Sequence, residues 1–413
     1  MTDVFDGARW VRLGFCDVFG VARSMEVPAD RFDDACRRGA PFDGSAVEGR
    51  ARVLESEMLL WPDPTTAVGL AGGEVRVVCE VRTLDGQPWP SDPRTALGRV
   101  VRDVGELADA WTAAAELEFH LLDADLRPVD RVGYYDESER RGLAVVRDAA
   151  ERLAQAGVPV DSAHHEAGPG QFEIDLGQLA AVRLADALVL TKQVVRDAAR
   201  QAGLQATFMA RPFSGEPGSG LHLHQQVADH LVDADGRLDA DGRGFVAGLL
   251  QHAAGLSALA APTVNSYKRL HAGPEAPSDA VWAHVNRAAL VRVSPAMGAG
   301  ATIEYRGADP SANPYLLLAG LLAASAHGLE HSLTLPPALE EDDGFDPAGE
   351  VVRPGPLPRD LDEALDAFVE DEILVDAFDP TLVRRMVDGR RAEAATYRAQ
   401  VTVWELDRYL DES

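Results

Sequence analysis

Two carboxylates stand two residues apart at Glu116 and Glu118, inside Ala115-Glu-Leu-Glu-Phe-His120. In an extended segment side chains alternate, so both acids project from one face while Leu117 and Phe119 project from the other. Carboxylates held side by side repel, and such a pair persists when a cation sits between them or when one is protonated. His164-His165-Glu166-Ala-Gly-Pro-Gly-Gln-Phe-Glu173 brings two further acids to either side of a Gly-Pro-Gly turn. Pro217-Gly-Ser-Gly-Leu-His222-Leu-His224 is a glycine-rich loop entering a strand whose two imidazoles share a face. With the later Glu304 these residues make a hard-ligand set, which favours magnesium or manganese over structural zinc. Four arginines follow, Arg269, Arg287, Arg292 and Arg306; arginine is suited to a bidentate grip on carboxylate or phosphate. Together, carboxylate-held metal and arginines predict phosphoryl transfer, with charge neutralisation as the main catalytic contribution.

The scaffold for these groups reads as two parts. Glu74-Val-Arg-Val-Val-Cys-Glu-Val-Arg82 is β-branched and mostly alternating, and Asp85-Gly-Gln-Pro-Trp-Pro follows as turn chemistry, so a strand ends near Thr83. Residues 1–88 are strand-rich, with Trp10–Cys16 as an early strand, and residues 89–413 form a larger α+β domain. Ser91-Asp92-Pro93 supplies an N-cap and a first-turn proline, and Leu97, Val100, Val101, Val104 and Leu107 recur at helical spacing. Leu339-Glu-Glu-Asp-Asp-Gly344 reads as a solvated acidic connector, and helical segments then run to Tyr409.

Composition narrows the function classes. With 413 residues, 46% of them hydrophobic, the chain can bury a sizeable core. Its 39 Lys and Arg against 67 Asp and Glu give a net charge of −28, which repels phosphate backbones and anionic lipid heads. No nucleic-acid partner is expected. Cys16, Cys36 and Cys79 lack a C-x-x-C spacing and read as reduced thiols. No membrane-spanning apolar run occurs, and Met1 to Asp6 lacks a basic segment followed by an apolar one. A cytoplasmic protein without a membrane partner is expected.

In order along the chain, these motifs resemble the glutamine synthetase family over nearly the whole length. Phe15-Cys-Asp-Val-Phe-Gly20 and Pro41-Phe-Asp43-Gly-Ser-Ala46 are similar to the motifs of its amino-terminal β-grasp domain. Glu116-x-Glu118, the His-His-Glu166 to Glu173 turn, Ala206–Phe213, Gly218–His224, Pro262–Arg269, Pro274-Glu275-Ala-Pro277 and Asp309–Tyr315 resemble its catalytic signatures. The resemblance implies an α+β fold, a β-grasp domain followed by a catalytic domain built on an antiparallel sheet with flanking helices. It implies two divalent ions, Mg2+ or Mn2+, one held by Glu118, Glu166 and Glu173 and the other by Glu116, His222 and Glu304. ATP would phosphorylate the γ-carboxylate of a glutamate-like acid held by Arg269, Arg306 and the Gly218 loop, with Arg287 and Arg292 on the transferring phosphoryl group. His224 and Arg292 would lie near the nucleotide. An amine would then attack the acyl phosphate; Asp43, on a loop that in the family reaches a neighbouring subunit's site, would accept its proton. Tyr134 and Glu166 would line the amine pocket, and Glu275 would sit on a flap excluding water. The family also implies a homo-oligomer of stacked rings, a dodecamer among the options, with active sites shared between neighbours.

Departures from the family pattern bear on the substrate. Ala46 stands where ammonium-using members usually carry a second serine of the aspartate loop, removing one acceptor for a small cation and making room for carbon. Pro217 replaces the asparagine that commonly precedes the glycine loop, Gly298–Thr302 replaces a basic cluster, and Gln226 replaces a serine after the two histidines. No tyrosine occupies 336–355, where some relatives are adenylylated. The expected activity is a γ-glutamyl ligase acting on an organic amine. The alternatives are true glutamine synthetase and a catalytically silent ring-forming scaffold or sensor.

Overall fold

The computed structural model describes residues 4–45, 47, 57–70, 73–136, 140–228, 231–233, 237–271, 276–294, 301–340 and 355–411. Six strands come first: β1 (Trp10–Cys16), β2 (Ala22–Pro28), β3 (Ala40–Phe42), β4 (Met58–Pro62), β5 (Val68–Leu70) and β6 (Glu74–Arg82), with helix α1 (Phe32–Arg38) packed against them. They form one sheet in the order β2-β1-β6-β4-β3, with β5 also on β6. The β1–β6 pair is parallel, and alternation in both strands buries Val11, Leu13, Val75 and Val77. This is the β-grasp arrangement.

A second sheet has eight strands: β7 (Trp111–Leu122), β8 (Val160–His165), β9 (Gln171–Leu179), β10 (Gln205–Thr207), β11 (Leu221–Val227), β12 (Trp282–Ala283), β13 (Val291–Ser294) and β14 (Thr302–Tyr305). Their order is β12-β13-β14-β11-β7-β9-β8, with β10 on the end of β7. All pairs are antiparallel except the short β12–β13 pair. One face carries the site; the other lies on helices α2 (Pro93–Asp103), α3 (Glu106–Ala110), α4 (Arg140–Gln155) and α5 (Ala181–Gln201). Trp111, Phe119 and Phe172 are fully buried there, each side chain worth about 1.5–3 kcal/mol on leaving water.

The remaining helices are α6 (Ala240–Gln251), α7 (Ala253–Ala260), α8 (Ser266–Leu270), α9 (Pro314–Glu330), α10 (Leu361–Glu370), α11 (Glu372–Asp376), α12 (Pro380–Arg398) and α13 (Val403–Tyr409). Apolar around most of its circumference, α9 lies buried amid the others. Asp92 caps α2 by accepting from Thr95, with Pro93 in the first turn. The expected run through Leu107 breaks in two, because Gly105 takes a positive φ of 52° and starts α3 afresh. Of the acidic connector, Leu339 and Glu340 are described; Glu340 accepts from His284 and its backbone, and 341–344 lie outside the described residues. Among the described residues no helix is long and apolar enough to cross a membrane.

Candidate active site

Strand register assembles the polar face. On β7, Glu116 lies opposite His222 of β11 and Asp175 of β9, and Glu118 lies opposite Glu173 of β9. Further out, His164 of β8 faces Glu173 and Ser162 faces Asp175. On the other side His224 is opposite Glu304 of β14, itself opposite Arg292 of β13. The same alternation sends Leu117, Phe119, Phe172, Ile174, Leu221 and Leu223 into the core.

Side chains converge accordingly. His222 Nδ1 lies 2.8 Å from Glu116 Oε2 and 3.7 Å from Glu304 Oε1, while its Nε2 is 4.0 Å from Glu118 Oε1. His224 Nε2 is 2.8 Å from Glu116 Oε1. Ligand atoms of Glu116, His222 and Glu304 fall within 4.8 Å of one another, as do those of His164, Glu173 and Asp175. Glu166 joins through His164, whose Nδ1 is 3.7 Å from Glu166 Oε1 and whose Nε2 is 3.2 Å from Glu173 Oε1.

Electrostatics tests whether this set suits a cation. Burial opposes ionisation of Glu116, but His222 and His224 outweigh it and hold its carboxyl well below the usual range. Burial, then the Glu118 carboxylate, pushes Glu166 up to about 7. Burial with Glu116 and Glu118 raises Glu173 well above the usual carboxylate range. Burial and like charge thus disfavour ionisation of carboxyl groups whose crowding a divalent ion would relieve, and groups that are mostly carboxylate with one imidazole each are the chemistry of a hard divalent cation. The donor set fits.

The glycine loop is pressed into this face. A Cβ at Gly220 would lie 2.6 Å from His222 Nε2, 2.9 Å from Arg269 Nη2 and 3.0 Å from Glu118 Oε1, filling a cradle among three site residues. At Gly218 a Cβ would come within 2.4 Å of the Ala210 carbonyl. Gln171, 1% exposed, locks loop to ligand: its Nε2 donates to Glu118 Oε2 at 2.7 Å and to Gly218 O at 3.0 Å, and its Oε1 accepts from Gly168 N at 2.8 Å. Behind the turn, His165 Nε2 meets Asp130 Oδ1 at 2.9 Å, and Gly170 N donates to the same oxygen at 2.8 Å.

Arginines line one side. Glu304, with no exposure, receives Arg306 Nη1 at 2.5 Å and lies 2.6 Å from Arg292 Nε. Arg306 Nε also donates to Arg287 O at 3.0 Å, and the Arg287 side chain is exposed. Buried Arg269 donates from Nη2 to Arg306 O at 3.3 Å, leaving its Nη1 without a partner among the described residues. An orphaned guanidinium N–H beside the glycine loop suits an anionic ligand.

Not every expected residue falls here. Asp43, at the end of β3, accepts from Ser45 N and Oγ at 2.9 and 2.6 Å; no hydrogen bond or ion pair joins it to the cluster among the described residues. Half-exposed Tyr134 packs against the Tyr135 ring at a 35° tilt and meets the His164 ring edge-on at 5.8 Å between centroids. Glu275 and Ala46 lie outside the described residues. Conversely, His164, Gln171 and Asp175 belong to the face without having been singled out; the alternation Gln171-x-Glu173-x-Asp175 on one strand was the signal for two of them.

A positioning role for Gln171 is testable. In Gln171→Leu the Mg2+ concentration giving half-maximal thermal stabilisation is expected to rise about 10–100-fold, the usual cost of losing a group that orients a ligand. An unchanged Mg2+ titration would reduce Gln171 to packing.

A β-grasp sheet is thus followed by a largely antiparallel sheet that bears this array. The glutamine synthetase β-grasp domain model matches residues 7–83 and the glutamine synthetase catalytic domain model residues 90–409. The chain is 37% identical over 431 residues to a glutamine synthetase of Thermus thermophilus, covering 98% of this chain and 96% of that protein. It is 34% identical over 427 residues to one of Halobacterium salinarum, covering 98% and 94%. Among solved structures, the GmaS/ADP complex aligns with a TM-score of 0.89 at 30% identity, covering 100% of both chains. The chain belongs to the glutamine synthetase family. It is therefore an ATP-dependent ligase of the C–N bond-forming type, in a family that uses divalent metals.

Proposed function

We propose that this ligase phosphorylates the γ-carboxylate of glutamate or a close analogue and transfers the acyl group to an organic amine. The observation that carries the reading is the register-built array: five ligand side chains on one sheet face, with Glu166 joining from the turn after β8, flanked by Arg269, Arg292 and Arg306. Ala46, in place of an ammonium-binding hydroxyl, and the likeness to GmaS support a carbon-bearing amine as the nucleophile. The name carried by the sequence relatives supports ammonium as the second reading.

Glu118, Glu166 and Glu173 would hold one divalent ion and Glu116, His222 and Glu304 another. Such ions neutralise and orient the ATP phosphates. Arg269, Arg306 and the Gly218 loop bind the acid, and Arg287 and Arg292 offset charge on the transferring phosphoryl group, with His224 toward the nucleotide. The γ-phosphoryl passes to the acid's carboxylate oxygen and ADP leaves. Amine nitrogen then attacks the acyl carbon, phosphate departs, and Asp43 takes the nitrogen's proton; Tyr134 and Glu166 would line the amine pocket, and Glu275, which lies outside the described residues, would be the residue excluding water. Asp43 makes no hydrogen bond or ion pair to its own chain's cluster among the described residues, in keeping with a second copy supplying it. Exposed Val401, Val403, Trp404, Tyr409 and Leu410 at the carboxyl end support a homo-oligomer. Light scattering reads that directly, and a monomer at assay concentration counts against it.

ADP release with ATP, Mg2+ and L-glutamate tests the reaction across ammonium and mono-, di- and hydroxylated amines. An organic amine is expected to exceed ammonium by at least about tenfold in kcat/KM, a difference of about 1.4 kcal/mol. Preference for ammonium would restore glutamine synthetase proper; silence with every acid and amine would leave the scaffold. In Ala46→Ser, ammonium should gain about fivefold relative to the amine, the worth of about 1 kcal/mol from one recovered hydrogen bond. An unchanged ratio would remove Ala46 as the determinant.

A further inference from the structure

Behind the catalytic sheet, between strands β1, β2 and β5 of the β-grasp sheet and helix α5, lies a cavity of about 1190 Å3. Six cations and four carboxylates line it, an excess of positive charge in a chain of net charge −28. Four cations have carboxylate partners: Arg12 with Glu74 at 2.6 Å, Arg152 with Asp148 at 2.6 Å, Arg200 with Asp197 at 3.0 Å and Arg390 with Glu393 at 2.7 Å. Lys192 and Arg196 make no ion pair among the described residues.

Both side chains are spaced for a common ligand. Lys192, Arg196 and Arg200 recur every four residues on α5 and so share a face; like charges at that spacing destabilise a helix unless something offsets them. Lys192, only 8% exposed, donates to the carbonyls of Pro310 at 2.5 Å and Ala312 at 3.4 Å. An ammonium has three donors, so one remains. Burial above all lowers the Lys192 pKa to about 8, a sign that its charge is poorly compensated. The Arg196 guanidinium lies over the Phe208 ring at 4.8 Å and makes no hydrogen bond among the described residues, so its fork of N–H groups is free. Thr207, Thr263, Asn265 and Ser311 supply further polar groups to the wall.

We propose that this cavity binds a small anion through carboxylate or phosphate oxygens, held between Lys192 and Arg196 with Arg200 at the mouth. The site is separate from the carboxylate face, and its binding does not depend on which amine the enzyme uses. Its floor is the loop that Lys192 grips, which begins just after Arg306 and is tied at Ala308 O to Leu221 N, next to His222, at 2.9 Å.

Calorimetric titration and thermal unfolding of the full chain, with succinate and with inorganic phosphate as probes at constant ionic strength set by sodium chloride, test the site. At least one probe is expected to bind saturably and raise the melting temperature beyond the chloride control. Binding by succinate alone identifies a carboxylate ligand, and by phosphate alone a phosphate ester. Arg196→Gln/Arg200→Gln should weaken binding at least tenfold, whereas Arg287→Gln, on the catalytic face, should not. Arg200→Gln alone, at a side chain 68% exposed, should weaken it several-fold and keeps the test open should the double variant fold poorly. The proposal is overturned if neither probe exceeds the chloride effect, or if binding survives these changes and is lost in Arg287→Gln.

Discussion

Glu304→Gln is expected to lose activity by about a thousandfold, the rate equivalent of several kcal/mol of electrostatic stabilisation withdrawn from a developing phosphate charge. Its carboxylate has no exposure and answers two guanidiniums at once, Arg306 at 2.5 Å and Arg292 at 2.6 Å, with His222 at 3.7 Å. Burial favours its neutral form, yet His224, Arg306, His222 and Arg292 together hold its pKa below the usual value, so it serves as an anion. The amide keeps shape and some hydrogen bonding but no charge. Two arginines then face each other unneutralised, which costs about 3–5 kcal/mol for a buried ion left without its partner. Activity and stability should therefore fall together, read as ADP release and as the urea midpoint. Glu304→Asp retains the charge and should recover part of both. More than a tenth of wild-type activity in Glu304→Gln would sink the assignment.

Much of this arrangement was legible because strands carry a period of two. Glu116-x-Glu118 and His222-x-His224 announced one-sided polar faces, and β7 and β11 place them side by side with Leu117 and Leu223 buried behind. The long-range pairing was a different matter. Nothing local in Thr302–Tyr305 says that Glu304 will lie opposite both His224 and Arg292; that comes from the register of three strands far apart in the chain. Gln171 was hidden for a related reason, since an amide next to a Gly-Pro-Gly turn reads as turn polarity until β9 places its Nε2 on Glu118. Asp43 shows the opposite limit: its motif is plain, but among the described residues no hydrogen bond or ion pair ties it to the cluster. The α2 region failed locally, because apolar spacing continued past Gly105 while the backbone did not.

Arg94→Met should be the most damaging single change outside the polar face. Arg94 stands in the first turn of α2, where it grips Asp186 of α5 through Nε and Nη2, both at 3.1 Å, and Asp63, just after β4, through Nη2 at 2.9 Å. Tyr315 of α9 donates to the same Asp186 at 2.6 Å. One guanidinium on α2 therefore joins α5 to the segment after β4, and α9 joins the same network through Asp186. Asp186 is 8% exposed, so removing Arg94 strands a buried carboxylate at a cost of about 3–5 kcal/mol. At roughly 2.1 cal/mol/K of unfolding entropy per residue, that is a fall of about 4–6 °C in Tm. Asp63→Asn, at a more exposed side chain, should cost clearly less. Arg94→Met/Asp186→Leu removes both charges and should be more stable than Arg94→Met alone, because the penalty lies in the unpaired ion and not in the missing contact. Since the junction touches none of the ligand side chains, kcat of the folded variant should stay near wild type, which separates this change from Glu304→Gln. A Tm loss under about 1 °C, or a double variant less stable than Arg94→Met, would show that packing of α2, α5 and α9 holds the two sheets together without this charge network.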